Sequence, residues 1–118
     1  MQDAIVRGVP RFVEPDNYAS SFGLQWNRHS AVQLDSRNGT RFSRERFYSI
    51  TEWNPAELKD RLVLDIGCGA GRFAEVALSD GAEVIAVDLS SAVDAAYHNL
   101  GSHPPAESPC RNRYSRRF

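Results

Sequence analysis

No stretch of this 118-residue chain approaches the roughly 18–20 consecutive apolar residues that span a bilayer, which excludes a membrane-crossing helix. The N-terminal run Met1-Gln-Asp-Ala-Ile-Val-Arg7 has none of the apolar core of a signal peptide. Cysteine is scarce as well. Cys68 and Cys110 alone build neither a disulfide framework nor a zinc site, so a reducing, cytoplasmic setting is expected. His29, His98 and His103 lack metal-ligand spacing and read as surface residues, and no metal is expected. A formal net charge of −1 exerts no overall pull toward nucleic acid or a membrane surface. What remains is an ordinary composition, 42% apolar and 25% charged, sufficient for one small domain. A complete doubly wound nucleotide-binding sheet usually needs a longer chain.

Four segments are expected. Residues 1–16 read as extended, because Pro10 and Pro15 keep the backbone out of a helix. Residues 17–60 read as a helical lead-in. Tyr18, Phe22 and Trp26 recur every four residues, and Asn38-Gly39 marks a turn. Ser43 then heads a helix carrying Phe47, Ile50 and Trp53, and Asn54-Pro55 is an N-cap followed by proline at the first helical position. Residues 61–101 show the order strand, helix, strand, helix. Leu62–Ile66 and Glu83–Val87 read as strands buried on both faces of a parallel sheet, joined by a right-handed crossover. Gly71 opens the helix between them. The second helix, capped by Ser90 or Ser91, turns Val93, Ala96, Tyr97 and Leu100 inward. Residues 102–118 carry three prolines, four arginines and no apolar periodicity, so they are expected not to pack. This tail lacks interleaved aromatics and reads as no nucleic-acid site.

The chemistry concentrates in Gly67-Cys-Gly-Ala-Gly71, directly after a strand and opening a helix. Glycines there permit a sharp turn and let backbone approach a ligand where a Cβ would collide. Asp88, at the tip of the second strand, is placed to accept ribose hydroxyls or, alternatively, only to cap the helix after it. Arg72 stands where a dinucleotide loop needs its third glycine, and no Gly-Lys-Ser/Thr follows for a phosphate loop. Asp65 would repel a pyrophosphate but suits a cationic ligand bearing an amino group, such as S-adenosylmethionine. Cys68 has no adjacent base and reads as a small loop residue, not as a nucleophile. Arg72 is open between pairing on the helix surface and bordering the site.

The run Leu64-Asp-Ile-Gly-Cys-Gly-Ala-Gly-Arg-Phe73 resembles motif I of class I S-adenosylmethionine-dependent methyltransferases, and Val84-Ile-Ala-Val-Asp-Leu-Ser90 resembles the ribose-binding strand end that follows it. Upstream, Phe22-Gly-Leu-Gln-Trp26, Gln33-Leu-Asp-Ser36 and Arg46-Phe47 are similar to a bacterial subgroup of methyltransferase-domain proteins, without the cysteines of the zinc ribbon found in some of them. The resemblance implies a partial Rossmann-like doubly wound α/β sheet, the first β-α-β-α of a class I methyltransferase, preceded by an N-terminal helical segment. It implies S-adenosylmethionine as cofactor, held by the backbone of Gly67, Cys68, Gly69 and Gly71. Asp65 would lie at the amino group, Asp88 at the ribose and Leu89 beside the adenine. Tyr18 or Trp26 is read either as a lid or as plain packing. No catalytic residue and no methyl acceptor is named by the resemblance.

Only two of the family's seven strands are expected here, so the chain reads as a truncated domain with exposed sheet edges available for association. Shifting the possible codons of residues 104–118 by one nucleotide permits an apolar run followed by Asp, similar to the family's third strand. The tail therefore reads as a frameshifted remnant. Two other functions stay in view: a non-catalytic cofactor-binding or interaction fragment, and a nicotinamide-dependent oxidoreductase, which Arg72 disfavours.

Overall fold

In the computed structural model, the described residues are 5–6, 9–12, 32–101 and 113–115. They form a mixed α/β arrangement in the order β1 (Ile5–Val6), β2 (Val9–Pro10), α1 (Asp35–Asn38), α2 (Phe42–Thr51), α3 (Pro55–Leu58), β3 (Leu62–Ile66), α4 (Arg72–Ser79), β4 (Glu83–Val87), α5 (Ala92–Leu100) and β5 (Arg113–Ser115). Tyr18, Phe22, Trp26, His29, His103 and Cys110 lie outside the described residues.

The larger sheet has the order β3-β4-β5 and is parallel throughout, with Leu64 opposite Ile85 and Ala86 opposite Tyr114. In-register neighbours point to the same side of a sheet. Val63, Asp65, Val84 and Ala86 therefore share the face that packs on the helices, where Val84 and Ala86 join Ala74, Ala77, Val93, Ala96 and Leu100 in one core. The opposite face corrects the expectation of full burial for β3. Leu62, Leu64 and Ile66 are 63%, 58% and 64% exposed, because the described helices that cover β3 pack on the Val63 side.

Two further expectations change. The stretch after Gly101 was expected not to pack, yet Arg113–Ser115 form the third parallel strand, alongside Ile85–Val87. The extended N-terminus is a short antiparallel pair, and Val9 within it is fully buried in the core cluster. Arg11 ties this pair to α5 through an ion pair with Asp94.

The lead-in is held by caps. Ser43 is not the N-cap of α2. The Asp35 carboxylate accepts the Ser43 and Arg44 amides at 3.0 and 2.9 Å, while the Ser43 hydroxyl donates to the Gln33 carbonyl. An aspartate outside the helix outcompetes the serine within it because its two oxygens take two orphan amides together. Gly39, at φ 73°, closes the one-turn α1. Asn54 is the expected N-cap of α3 with Pro55 at the first turn, and Glu57 completes a capping box with it. Tyr97, expected inward, is 38% exposed, and Ala92 and Ala95 line the inner face of α5 in its place.

Candidate functional site

The loop between β3 and α4 is fastened to the end of β4. The Gly67 and Cys68 amides donate to the Val87 carbonyl at 2.8 and 3.1 Å, and the Gly71 amide donates to the Cys68 carbonyl at 2.9 Å. The Gly69 amide donates to Asp88 Oδ2 at 2.9 Å. Asn99 donates from Nδ2 to the Ala70 carbonyl at 3.0 Å. Four of the loop's amides are thus already bonded within the protein, which leaves little of an anion-binding nest.

Two of the glycines are required for different reasons. Gly71 has φ 97°, and a Cβ there would stand 2.7 Å from Leu100 Cδ1, so its small size lets the loop pack on α5. Gly67 has φ 77°, but a Cβ there would meet nothing within 4 Å. Open space thus lies at the strand end, and close protein packing lies at the helix start.

Asp88 serves as a hub. Its Oδ1 accepts the Ser90 amide and the Ser90 hydroxyl, both at 2.7 Å, and its Oδ2 accepts the Gly69 amide. Ser90 Oγ in turn accepts the Ala92 amide at 3.1 Å, capping α5. With two acceptor sites per carboxylate oxygen, one site on Oδ2 remains for an outside hydroxyl. A second hydroxyl needs the Ser90 hydroxyl to turn away. The cap and the ligand contact, alternatives in the sequence, thus draw on the same carboxylate.

Asp65 sits near Asp88, half-buried on β3. Its Oδ2 is buried and has no hydrogen-bond partner among the described residues. Burial, and then the neighbouring Asp88 charge, push its carboxyl above the usual aspartate range. Burial first, and then the Asp65 and Asp88 charges, raise the Cys68 thiol well above the usual range. The shift disfavours the thiolate that a nucleophile needs. Leu89 is half-buried immediately after Asp88. Arg72 donates from Nε to Ser43 Oγ at 3.2 Å and lies over the Phe73 ring, so it joins α2 to α4.

Asp65 also lines an open cavity of about 190 Å³ between α2, α4 and β3. Phe47, Ile50, Trp53, Val63 and Phe73 form most of its wall, and no loop glycine lines it.

Residues 64–111 match the sequence model of the methyltransferase domain family. That segment belongs to the methyltransferase-domain family. The methyltransferase-domain segment takes in every candidate loop residue, from Asp65 through Leu89, and runs ten residues past Gly101. Phe47 and Trp53 of the cavity lie outside it. No curated protein matches the chain.

Sequence reasoning missed Asn99 and Ser90 as supports of the loop. Asn99 carried a usable signal, since it is a polar residue beside Leu100 at the end of an otherwise apolar helix face. Among the described residues, no group of three or more His, Cys, Asp or Glu side chains is arranged to hold a metal. No described helix is long and apolar enough to cross a membrane.

Proposed function

We propose that this chain is an S-adenosylmethionine-dependent methyltransferase domain, built as the first β-α-β-α of a Rossmann-like doubly wound sheet and binding its methyl donor at the strand ends. The observation that carries the reading is the state of the loop amides. Those of Gly67, Cys68, Gly69 and Gly71 are bonded internally, which disfavours a phosphate ligand. The Asp65 carboxylate, whose Oδ2 has no donor among the described residues, favours a cation carrying N–H donors.

The residues present fit such a ligand. Gly67 offers the open approach, Asp65 the negative charge beside an amino group, and Asp88 Oδ2 an acceptor for a ribose hydroxyl. Leu89 offers an apolar edge for adenine. The donor, when bound, supplies a sulfonium methyl that a nucleophilic oxygen, nitrogen or carbon accepts. The chain's part is to fix position and keep the loop preorganised, which contributes through alignment. Among the described residues β3 is a sheet edge, which supports association with another chain.

Calorimetric titration of the full chain with S-adenosylhomocysteine tests this. Saturable heat is expected, at least about tenfold weaker in Asp88→Ala, where one charge-assisted hydrogen bond is lost. Circular dichroism of the variant confirms that it is folded. Absence of heat with the unmodified chain, or displacement of the ligand by NADH, overturns the reading.

A further inference from the structure

We propose that the β1–β2 pair is a clasp, latched by Arg11 on Asp94, that holds β5 on the sheet and keeps the outer edge of β4 closed. The proposal concerns the frame of the sheet and stands without the methyl-donor reading.

β5 has little support of its own. It has three residues, Arg113–Ser115, and among the described residues it pairs along one edge, with Ile85–Val87 of β4. A strand so short forms few backbone bonds, which scarcely offset the entropy of ordering it. Its place on the sheet therefore depends on what packs beside it. Besides β4, the elements in contact with it are α5 and β2.

β2 is anchored for that task. Val9 is fully buried in the core cluster, and β2 packs on α5 as well as on β5. Arg11, the residue after β2, adds the latch. Its Nη2 donates to the Val6 carbonyl at 3.2 Å, back across the pair, and to Asp94 in the first turn of α5. The two charged side chains are only 13% and 17% exposed, so salt screens them less than it screens a surface pair. The clasp thus grips the core through Val9 and α5 through charge, with β5 packed against it.

The closed clasp matters most for β4. With β5 undocked, β4 presents unpaired N–H and C=O groups along Ile85–Val87, immediately before Asp88. Opening the latch therefore uncovers a template for strand addition beside the Asp88 hub. The pairing of β3 with β4 and the core beneath it do not involve β5 and stay in place.

Native-state amide exchange of the ¹⁵N-labelled full chain tests the clasp. Arg11→Gln, Asp94→Asn and the double variant are compared with the unmodified chain. In each single variant the slowest amide of residues 113–115 should exchange about tenfold or more faster, the size of one charge-assisted hydrogen bond. The double variant should be no faster than the singles, because both remove the same pair. Amides between β3 and β4 should stay within about twofold, since the opening is local. The proposal is overturned by an unchanged rate at 113–115, by equal acceleration at β3 and β4, or by effects that add in the double variant. Absence of protection at 113–115 in the unmodified chain overturns it as well. Should one single variant not fold, the other decides; failure of both overturns the proposal, because the latch then holds the whole fold.

Discussion

Gly71→Ala and Gly67→Ala are the same chemical change four residues apart, yet the structure gives them different consequences. Both glycines have positive φ, 97° and 77°, so alanine at either site bears about 1–2 kcal/mol of left-handed backbone strain. Stiffening the unfolded chain offsets about 0.4–1 kcal/mol of that. At Gly67 the new methyl meets nothing within 4 Å, and the net loss should be about 1 kcal/mol or less. At Gly71 it stands 2.7 Å from Leu100 Cδ1 and 3.5 Å from Ala96 Cβ. Leu100 is only 1% exposed and has nowhere to retreat, so overpacking adds about 1–3 kcal/mol. The net loss for Gly71→Ala should be about 2–4 kcal/mol, lowering the melting temperature by on the order of 10 °C or more.

Urea and thermal unfolding followed by circular dichroism measure both variants. A double-mutant cycle isolates the steric part: Leu100→Ala is destabilising alone, by about 2–5 kcal/mol, but should remove the clash in the Gly71→Ala background. The two changes together should thus lose about 1–3 kcal/mol less than the sum of the single losses. Equal losses at positions 67 and 71, or strict additivity of Gly71→Ala with Leu100→Ala, would refute the assignment of Gly71 to packing.

Two more outcomes follow from local geometry. Asp35→Ala removes the acceptor of the Ser43 and Arg44 amides and should lose about 0.5–2 kcal/mol near neutral pH. Burial raises the Asp35 carboxyl, but those amide hydrogen bonds outweigh it and hold the group below 3.8. Its contribution is therefore full above that value and fades as pH falls through the lowered one, so unfolding curves of wild type and variant should converge in acid. Glu52, at φ 58° just past α2, donates its amide to the Tyr48 carbonyl in a position glycine adopts without strain. Glu52→Gly should stabilise by about 0.5–1 kcal/mol, and a lower melting temperature would contradict it.

The strand–helix–strand–helix order from Leu62 to Leu100 was legible because each element announces itself within a few residues: an apolar run, three glycines, a periodic stripe, a capping serine. Asn54-Pro55 was legible for the same reason. Failures occurred where a partner distant in sequence decides the outcome. Nothing around Leu64 reveals that one side of its strand stays exposed, since burial depends on elements that the local pattern does not encode. Arg113–Ser115 carry no strand pattern, yet the free side of β4 supplies a ladder that backbone groups join whatever their side chains. Ser43 had the composition of a cap, but Asp35, eight residues earlier, took the amides.

The candidate site shows the same division in one place. Residue types and spacing at 65–71 and 88 were readable, whereas the allocation of hydrogen bonds was not. A sequence pattern shows that Asp88 ends a strand; it does not show that Ser90 and Gly69 occupy three of its acceptor positions. Nor does it show that Asp65, written two residues before the loop, lines one cavity together with Phe47 and Trp53 from a separate helix and its exit. These allocations depend on how α2 and α5 dock. The same docking that buries Leu100 against Gly71 holds the loop ready, and the docking of α2 gives Asp65 an aromatic wall and an oxygen without a donor.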